Sequence, residues 1–467
     1  MILVSPNILW RIETNLNLQN RLNKVIPGGS HTYSKGYDQF PINAPSLLTK
    51  GEGVYVFDEL NNKFLDFGMG LRAVNIGYAE PEINEAAFIE MSKGNNLTRP
   101  SLIELEAAEL LVDLIDSVEM VKFTKNGSAA VTAAIKLARA YTGRELIARC
   151  ADQPFFSYDD WFIGSTSISR GIPLDTITKT KTFNYNNLQS IINLVEEYPN
   201  QIACVILEPA SIECPSINSY NTTCCGEQNC KRNYKKETKN FLQEVQRICN
   251  KNGIVFILDE MITGFRWDLH GAQNFYNVSP DLSTFGKAMA NGFSLSCLAG
   301  KRDIMKLGSI TDEGSERVFL LSSTHGAEMC SLGAFISNVS FMKRNNVISH
   351  QWEYGKKLIN LFREKIVKYN IDSNFKIEGI PCSPYFLTLD SNGSNSNELR
   401  TLFIQEMIKN KVLMPYLSIA FRHGQKELEL VEEALEKTFS IYAKAIDEGV
   451  SNYLEGPSIK PIFRKYN

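Results

Sequence analysis

Two runs of the sequence, IACVILEP (202–209) and GIVFILDE (253–260), constrain the fold more than any other feature. Each is a continuous apolar stretch closed by an acidic residue, the pattern of a strand covered on both faces. Between them, TKNFLQEVQRICNKNG (238–253) carries Phe241, Val245 and Ile248 at helical spacing on one side. Strand, helix and strand in that order predict a right-handed crossover, and hence an α/β fold with a mostly parallel sheet.

Other stretches attach to this core. GVYVFDELNNKFLDF (53–67) alternates apolar and polar residues around Asn61-Asn62 and reads as a β-hairpin. SLIELEAAELLVDLI (101–115) has helical spacing. Residues 119–144 read as a short strand, a glycine turn and a helix with Val131, Ile135, Ala138 and Tyr141 on one side, capped by Gly143. Beyond about residue 330 the pattern shifts to helices plus the strand-like SPYFLTLD (383–390). A chain of 467 residues is long enough for more than one core. The expected division is an N-terminal segment with the hairpin (1–90), a large α/β domain (91–330) and a smaller α+β domain (331–467).

The net charge of −3 is spread along the chain, which argues against a nucleic-acid surface. The start, MILVSPNILWRIETN, has no basic leader, and no stretch approaches the ~20 apolar residues of a membrane-spanning helix. The expected location is the cytoplasm. Cys204, Cys249, Cys297 and Cys330 lie in apolar or small-residue segments, as reduced thiols do. Cys214, Cys224, Cys225 and Cys230 cluster without the paired spacing of a zinc ribbon, so a reduced loop is expected and no metal site.

Open α/β sheets bind ligands beyond the carboxyl ends of their strands, and three features fall there. KNGSAA opens a helix with Gly127 and Ser128, which reads either as a simple N-cap or as an anion site at the positive helix end. Asp259 follows an apolar run; it is either a salt-bridge partner, for instance of Arg266, or a partner for a protonated ring nitrogen. Lys287, in PDLSTFGKAMANG (280–292), is either a lysine facing water or, desolvated by small neighbours, a neutral amine able to react with an aldehyde. A phosphate pocket, a carboxylate for a pyridinium and an amine for an aldehyde together describe pyridoxal 5′-phosphate (PLP).

LDEMITGFRW (258–267), followed by PDLSTFGKAMANG, resembles the class III (ω-type) PLP-dependent aminotransferases, most closely the glutamate-1-semialdehyde 2,1-aminomutase-like branch. The resemblance runs from IPGGSHTYSKG (26–36) through the C-terminal part. It implies the fold type I PLP-transferase architecture (aspartate-aminotransferase-like) and a homodimer with shared active sites, acting on a small-molecule amino donor and a carbonyl acceptor. Lys287 falls on the lysine that links to the cofactor aldehyde, and Asp259 on the aspartate paired with the pyridine nitrogen. Met261 and Phe155 fall on the two ring faces, and Gly127 and Ser128 on the phosphate turn. Ser323 and Thr324 fall on a segment reaching the phosphate from the other subunit, and Glu208 on a glutamate near the substrate side. Lys35 replaces the arginine that holds a substrate carboxylate.

There are further departures. The usual Ser-Gly-Thr-Glu-Ala is Asn126-Gly127-Ser128-Ala129-Ala130, and the usual aromatic-His-Gly is Phe155-Phe156-Ser157. The usual Gly-Asn-Pro is Gly326-Ala327-Glu328, preceded by His325, and STSISRGIP (165–173) lacks the branch's Gly-Ser-Gly gating loop. Such substitutions look similar to aminomutase-like sequences of bacterial surface-polysaccharide pathways. Three readings follow: an aminotransferase, an aminomutase acting within glutamate-1-semialdehyde, and a non-catalytic PLP-fold binding protein.

Overall fold

The apolar runs at 202 and 253 become neighbouring parallel strands, with Leu207 opposite Leu258, as the crossover requires. The computed structural model describes residues 17–210, 213–216 and 239–467, which divide into two units. The first comprises residues up to Leu71, Ile76–Glu80 and His350–Arg464; the second comprises Arg72–Asn75, Pro81–Ser349 and the last three residues.

In the first unit, β1 (Leu48–Glu52), β2 (Tyr55–Asp58) and β3 (Lys63–Asp66) form an antiparallel meander, with the expected hairpin between β2 and β3. Asp58 closes its turn, accepting from the backbone N–H groups of Leu60 and Asn62.

The second unit holds β4 (Met120–Thr124), β5 (Leu146–Cys150), β6 (Thr180–Phe183), β7 (Ile202–Leu207), β8 (Val255–Asp259), β9 (Leu282–Phe285) and β10 (Ser296–Gly300). They make one sheet in the order β4-β10-β9-β8-β7-β5-β6. Every neighbouring pair from β9 to β6 is parallel, and β10 runs antiparallel to β9 and β4. All residues of β7 through β10 are buried, which is why their sequences do not alternate. The crossover helix spans Phe241–Asn252 and buries Phe241, Val245 and Ile248 as predicted; Gly253, at φ 59°, ends it in the left-handed conformation. The helix Gly127–Thr142 buries Val131, Ile135 and Ala138 but leaves Tyr141 51% exposed, a correction to its expected inward face.

The remaining strands return to the first unit. There β11 (Phe375–Ile380) pairs with β12 (Ser383–Thr388), and β13 (Val412–Leu413) adds parallel to β3. Phe362, Phe375, Phe386, Phe403 and Phe439 pack there with ring centroids 4.8–6.3 Å apart. Such aromatic pairs contribute about 0.5–1.5 kcal/mol each beyond area burial. Among the described residues, no helix is long and apolar enough to cross a membrane.

Candidate active site

The carboxyl ends of β7, β8 and β9 bring the chemistry together. Glu208 follows β7, Asp259 ends β8, and Thr284 of β9 lies in register with Asp259. Asp259 is 2% exposed and accepts from the Met261 N–H at 3.0 Å and the Thr284 hydroxyl at 3.2 Å, both on Oδ1. Burial raises its carboxyl to about 6, against the pull of the nearby Lys287 charge. Arg266 is buried too, and its Nη2 donates to the carbonyl of Arg72 at 2.9 Å.

Lys287 stands two residues beyond β9 at φ 44°, a left-handed conformation in a non-glycine residue. Such a conformation costs of order 1–3 kcal/mol and persists only where the surroundings impose it. Its lysine is partly accessible, but burial of its charge lowers its pKa, while Asp259 and Glu208 pull the other way. Desolvation outweighs that pull, so the amine sits below the ordinary lysine range. Glu208 is 3% exposed, and its Oε2 has no hydrogen-bond partner among the described residues. Burial and the Asp259 charge push its carboxyl up to about 8, opposed by Lys287 and Arg72. Gln153 holds its backbone from both sides, donating to the Glu208 carbonyl at 2.8 Å and accepting from its N–H at 2.7 Å.

The glycines of the motifs are there for close approach. A Cβ on Gly127 would lie 2.8 Å from the Met261 sulfur, and one on Gly286 would lie 2.7 Å from the same atom. Met261 is thus wedged between the helix start and the residue before Lys287. Within LDEMITGFRW, Gly264 permits contact with Phe285, and buried Glu260 accepts from the N–H groups of Ala272 and Gln273. This fixes the turn after β8.

At the phosphate-turn segment, Asn126 is the cap, its Oδ1 accepting from Ala129 N–H at 2.9 Å. The Ser128 hydroxyl instead accepts from Tyr158 N–H at 3.1 Å, docking the segment 155–159 on the first turn of the helix. Phe155, on that segment, is 47% exposed and edge-on to Phe162. Ser323 and Thr324 are exposed, and Lys125 pairs with Glu328 just beyond them. Lys35 belongs to the first unit, where it lines a cavity of about 750 Å³ with Asp66, Tyr78 and Tyr416. Cys214 is buried; Cys224, Cys225 and Cys230 lie outside the described residues.

Sequence reasoning missed Gln153, Thr284 and Arg72. The first two are ordinary polar residues whose roles depend on strands distant in sequence. Arg72 did carry a signal, an arginine beside a glycine-rich turn in FGMGLRA.

The sequence model of the class-III aminotransferases matches residues 33–216 and 234–383. A 3-aminobutyryl-CoA aminotransferase of Cloacimonas acidaminovorans (strain Evry) is 28% identical over 446 residues, covering 93% of this chain and 99% of that protein. A glutamate-1-semialdehyde 2,1-aminomutase of Fusobacterium nucleatum subsp. nucleatum is 26% identical over 449 residues, covering 91% and 97%. Among solved structures, the PLP internal aldimine form of the FumI protein of Sphingopyxis sp. MTA144 shares the fold. Its TM-score is 0.80 at 21% identity, covering 93% of this chain and 97% of that one.

Proposed function

Because this chain belongs to the class-III aminotransferase family, whose members are PLP-dependent enzymes, we propose that it moves an amino group from an amino-acid donor to a separate carbonyl acceptor. The acceptor belongs to a specialised biosynthesis such as that of a surface polysaccharide. When bound, PLP supplies an aldehyde for the amino group and a conjugated ring that spreads negative charge.

The residues present fit that group. Both hydrogen bonds to buried Asp259 fall on Oδ1, and its carboxylate would pair with the ring nitrogen and keep it protonated. Gly127 and Gly286 leave room for the Met261 side chain, which would pack on one ring face, and Phe155 would cover the other. The Gly127 and Ser128 N–H groups at the helix start would hold the phosphate. Lys287 would hold the aldehyde end of the cofactor, and its neutral amine would move the proton at the substrate Cα. A lowered pKa serves both duties, since only the neutral amine can attack or accept a proton. Glu208 lies on the substrate side, with Lys35 offering a point charge where the family has an arginine.

The observation that favours transfer between two substrates over transfer within one is the segment 165–173. It lacks the Gly-Ser-Gly hinge, and buried Arg149 pins its start, donating to the Ser165 hydroxyl at 2.6 Å and carbonyl at 2.9 Å. An aminomutase must retain its intermediate behind a mobile gate, whereas an aminotransferase must release its first product. Holoenzyme given glutamate alone is expected to release about one equivalent of 2-oxoglutarate per active site and stop. Given glutamate-1-semialdehyde alone, it should make little 5-aminolevulinate. Efficient multiple turnover in that second assay would promote the aminomutase reading.

The same reading includes a homodimer. Ser323 and Thr324 are exposed in the single chain and would complete the phosphate site of the other subunit. Light scattering should find a two-fold dimer, and a PLP-saturated, fully active monomer would count against it.

A further inference from the structure

Arg72 has no assigned role toward the substrate so far, yet its backbone is among the most constrained of the described residues. Met69, Gly70, Leu71 and Arg72 have φ of 41°, 57°, 59° and 67°, four successive left-handed residues of which three are not glycine. Isolated left-handed residues are ordinary at turns; a run of bulky ones is not, and strain of this kind concentrates where a side chain must be aimed. Each end of the run is secured within its own unit. At the start, Asp66 accepts from Gly68 N–H at 2.7 Å, Met69 N–H at 3.0 Å and the Tyr78 hydroxyl at 2.6 Å. At the end, the buried Arg266 guanidinium donates to the Arg72 carbonyl at 2.9 Å. Arg266 lies seven residues after Asp259, on the same turn that places Met261, so the position of Arg72 is tied to the wall of the site.

The charge of Arg72 acts on both Glu208 and Lys287. Two arginines act on Lys287. Arg266 is 1% exposed, with Nη2 turned to a backbone carbonyl, whereas Arg72 keeps part of its surface accessible. An amino-acid donor brings an ammonium group to Lys287 and, one carbon away, a carboxylate that needs a cation. A planar guanidinium can meet a carboxylate with two parallel N–H donors; an ammonium such as that of Lys35 cannot.

We propose that Arg72 is the specificity-determining residue that binds the carboxylate of the amino donor. The left-handed run Met69–Arg72 holds it at that angle. The inference rests on the aminotransferase reading above and adds the residue that would hold the carboxylate of its amino-acid donor. Glu208 beside the same arginine would oppose a second anion, so the grip is for one carboxylate at this point.

The test is the binding of glutarate, which has the carboxylates of a glutamate-like donor and no amino group, to holoenzyme by titration calorimetry. Wild-type protein should bind it. Arg72→Ala should weaken binding about 10²-fold, within the range for removing one partner of a desolvated charge pair. Its cofactor content and melting temperature should match the wild type. Arg72→Lys should recover part of the affinity, because the charge returns without the fork. Three results would overturn the proposal: no glutarate binding to wild type, wild-type affinity in Arg72→Ala, or equal loss of affinity and cofactor in both variants. Wild-type protein that binds glutarate through Arg72 but releases no oxo acid from glutamate would leave this inference standing and remove the aminotransferase reading instead.

Discussion

Lys287→Ala is expected to lower transamination at least about 10⁴-fold, the upper end of what one positioned acid–base group contributes. The size follows from two duties falling on one nitrogen: anchoring the aldehyde and moving the proton at the substrate Cα. Other amines near the site cannot substitute. Lys125 is engaged with Glu328, and Lys35 is assigned to a substrate carboxylate. The fold should survive. Alanine keeps the same backbone, and removing a desolvated amine leaves no buried cation behind. The charge of Lys287 holds down the carboxyls of Asp259 and Glu208, so both should move further up in the variant. The measurements are steady-state turnover with glutamate and a panel of oxo acids, together with circular dichroism. Turnover within tenfold of wild type in a folded variant would remove Lys287 from its assigned role.

Asp259→Asn is expected to cost about 10²–10³-fold in turnover, the usual range for losing one preorganised electrostatic partner. An amide can accept a hydrogen bond from a ring N–H but carries no charge to keep that nitrogen protonated. The variant should still bind PLP, because the phosphate turn and Lys287 are untouched. Its stability should move the other way, which separates chemistry from folding. In cofactor-free protein the Asp259 carboxyl sits at about 6, against roughly 3.9 in an unfolded chain. The native state therefore holds a proton that the unfolded chain has released between those values. The contribution of this group to stability is fullest below about pH 4 and is lost as pH rises toward 6. Asparagine has no such loss, so the cofactor-free variant should melt no lower than wild type above pH 6. A variant that is both inactive and markedly less stable there would show that Asp259 is needed for the fold rather than for the ring.

Much of the site was legible in the sequence because its residues lie at the ends of strongly patterned segments. The apolar runs at 202 and 253 could bury only as covered strands, so Glu208 and Asp259 had to emerge together at one sheet edge. Gly264, Phe265 and Arg266 follow Asp259 at spacings that one tight turn dictates, since Gly264 packs on Phe285 and Arg266 reaches back to Arg72. Those are short-range matters of periodicity and steric fit, and they carry the α/β class, the sheet's central strands and the Lys287–Asp259 pair.

What the tertiary structure alone decided is which groups oppose one another across long sequence distances. Gln153 clamps Glu208 from 55 residues away, and Thr284 reaches Asp259 from 25. Tyr141, placed inward by spacing, turns out to be exposed, next to the end of the helix Gly127–Thr142. The left-handed run at Met69–Arg72 has no propensity signal, since Met, Leu and Arg all prefer other conformations; Asp66 at one end and Arg266 at the other impose it. Local sequence determined the strands, the helices and the motif residues. The protonation of those residues, and the arginine placed beside them, depend on burial and distant charge, which exist only once the chain has folded.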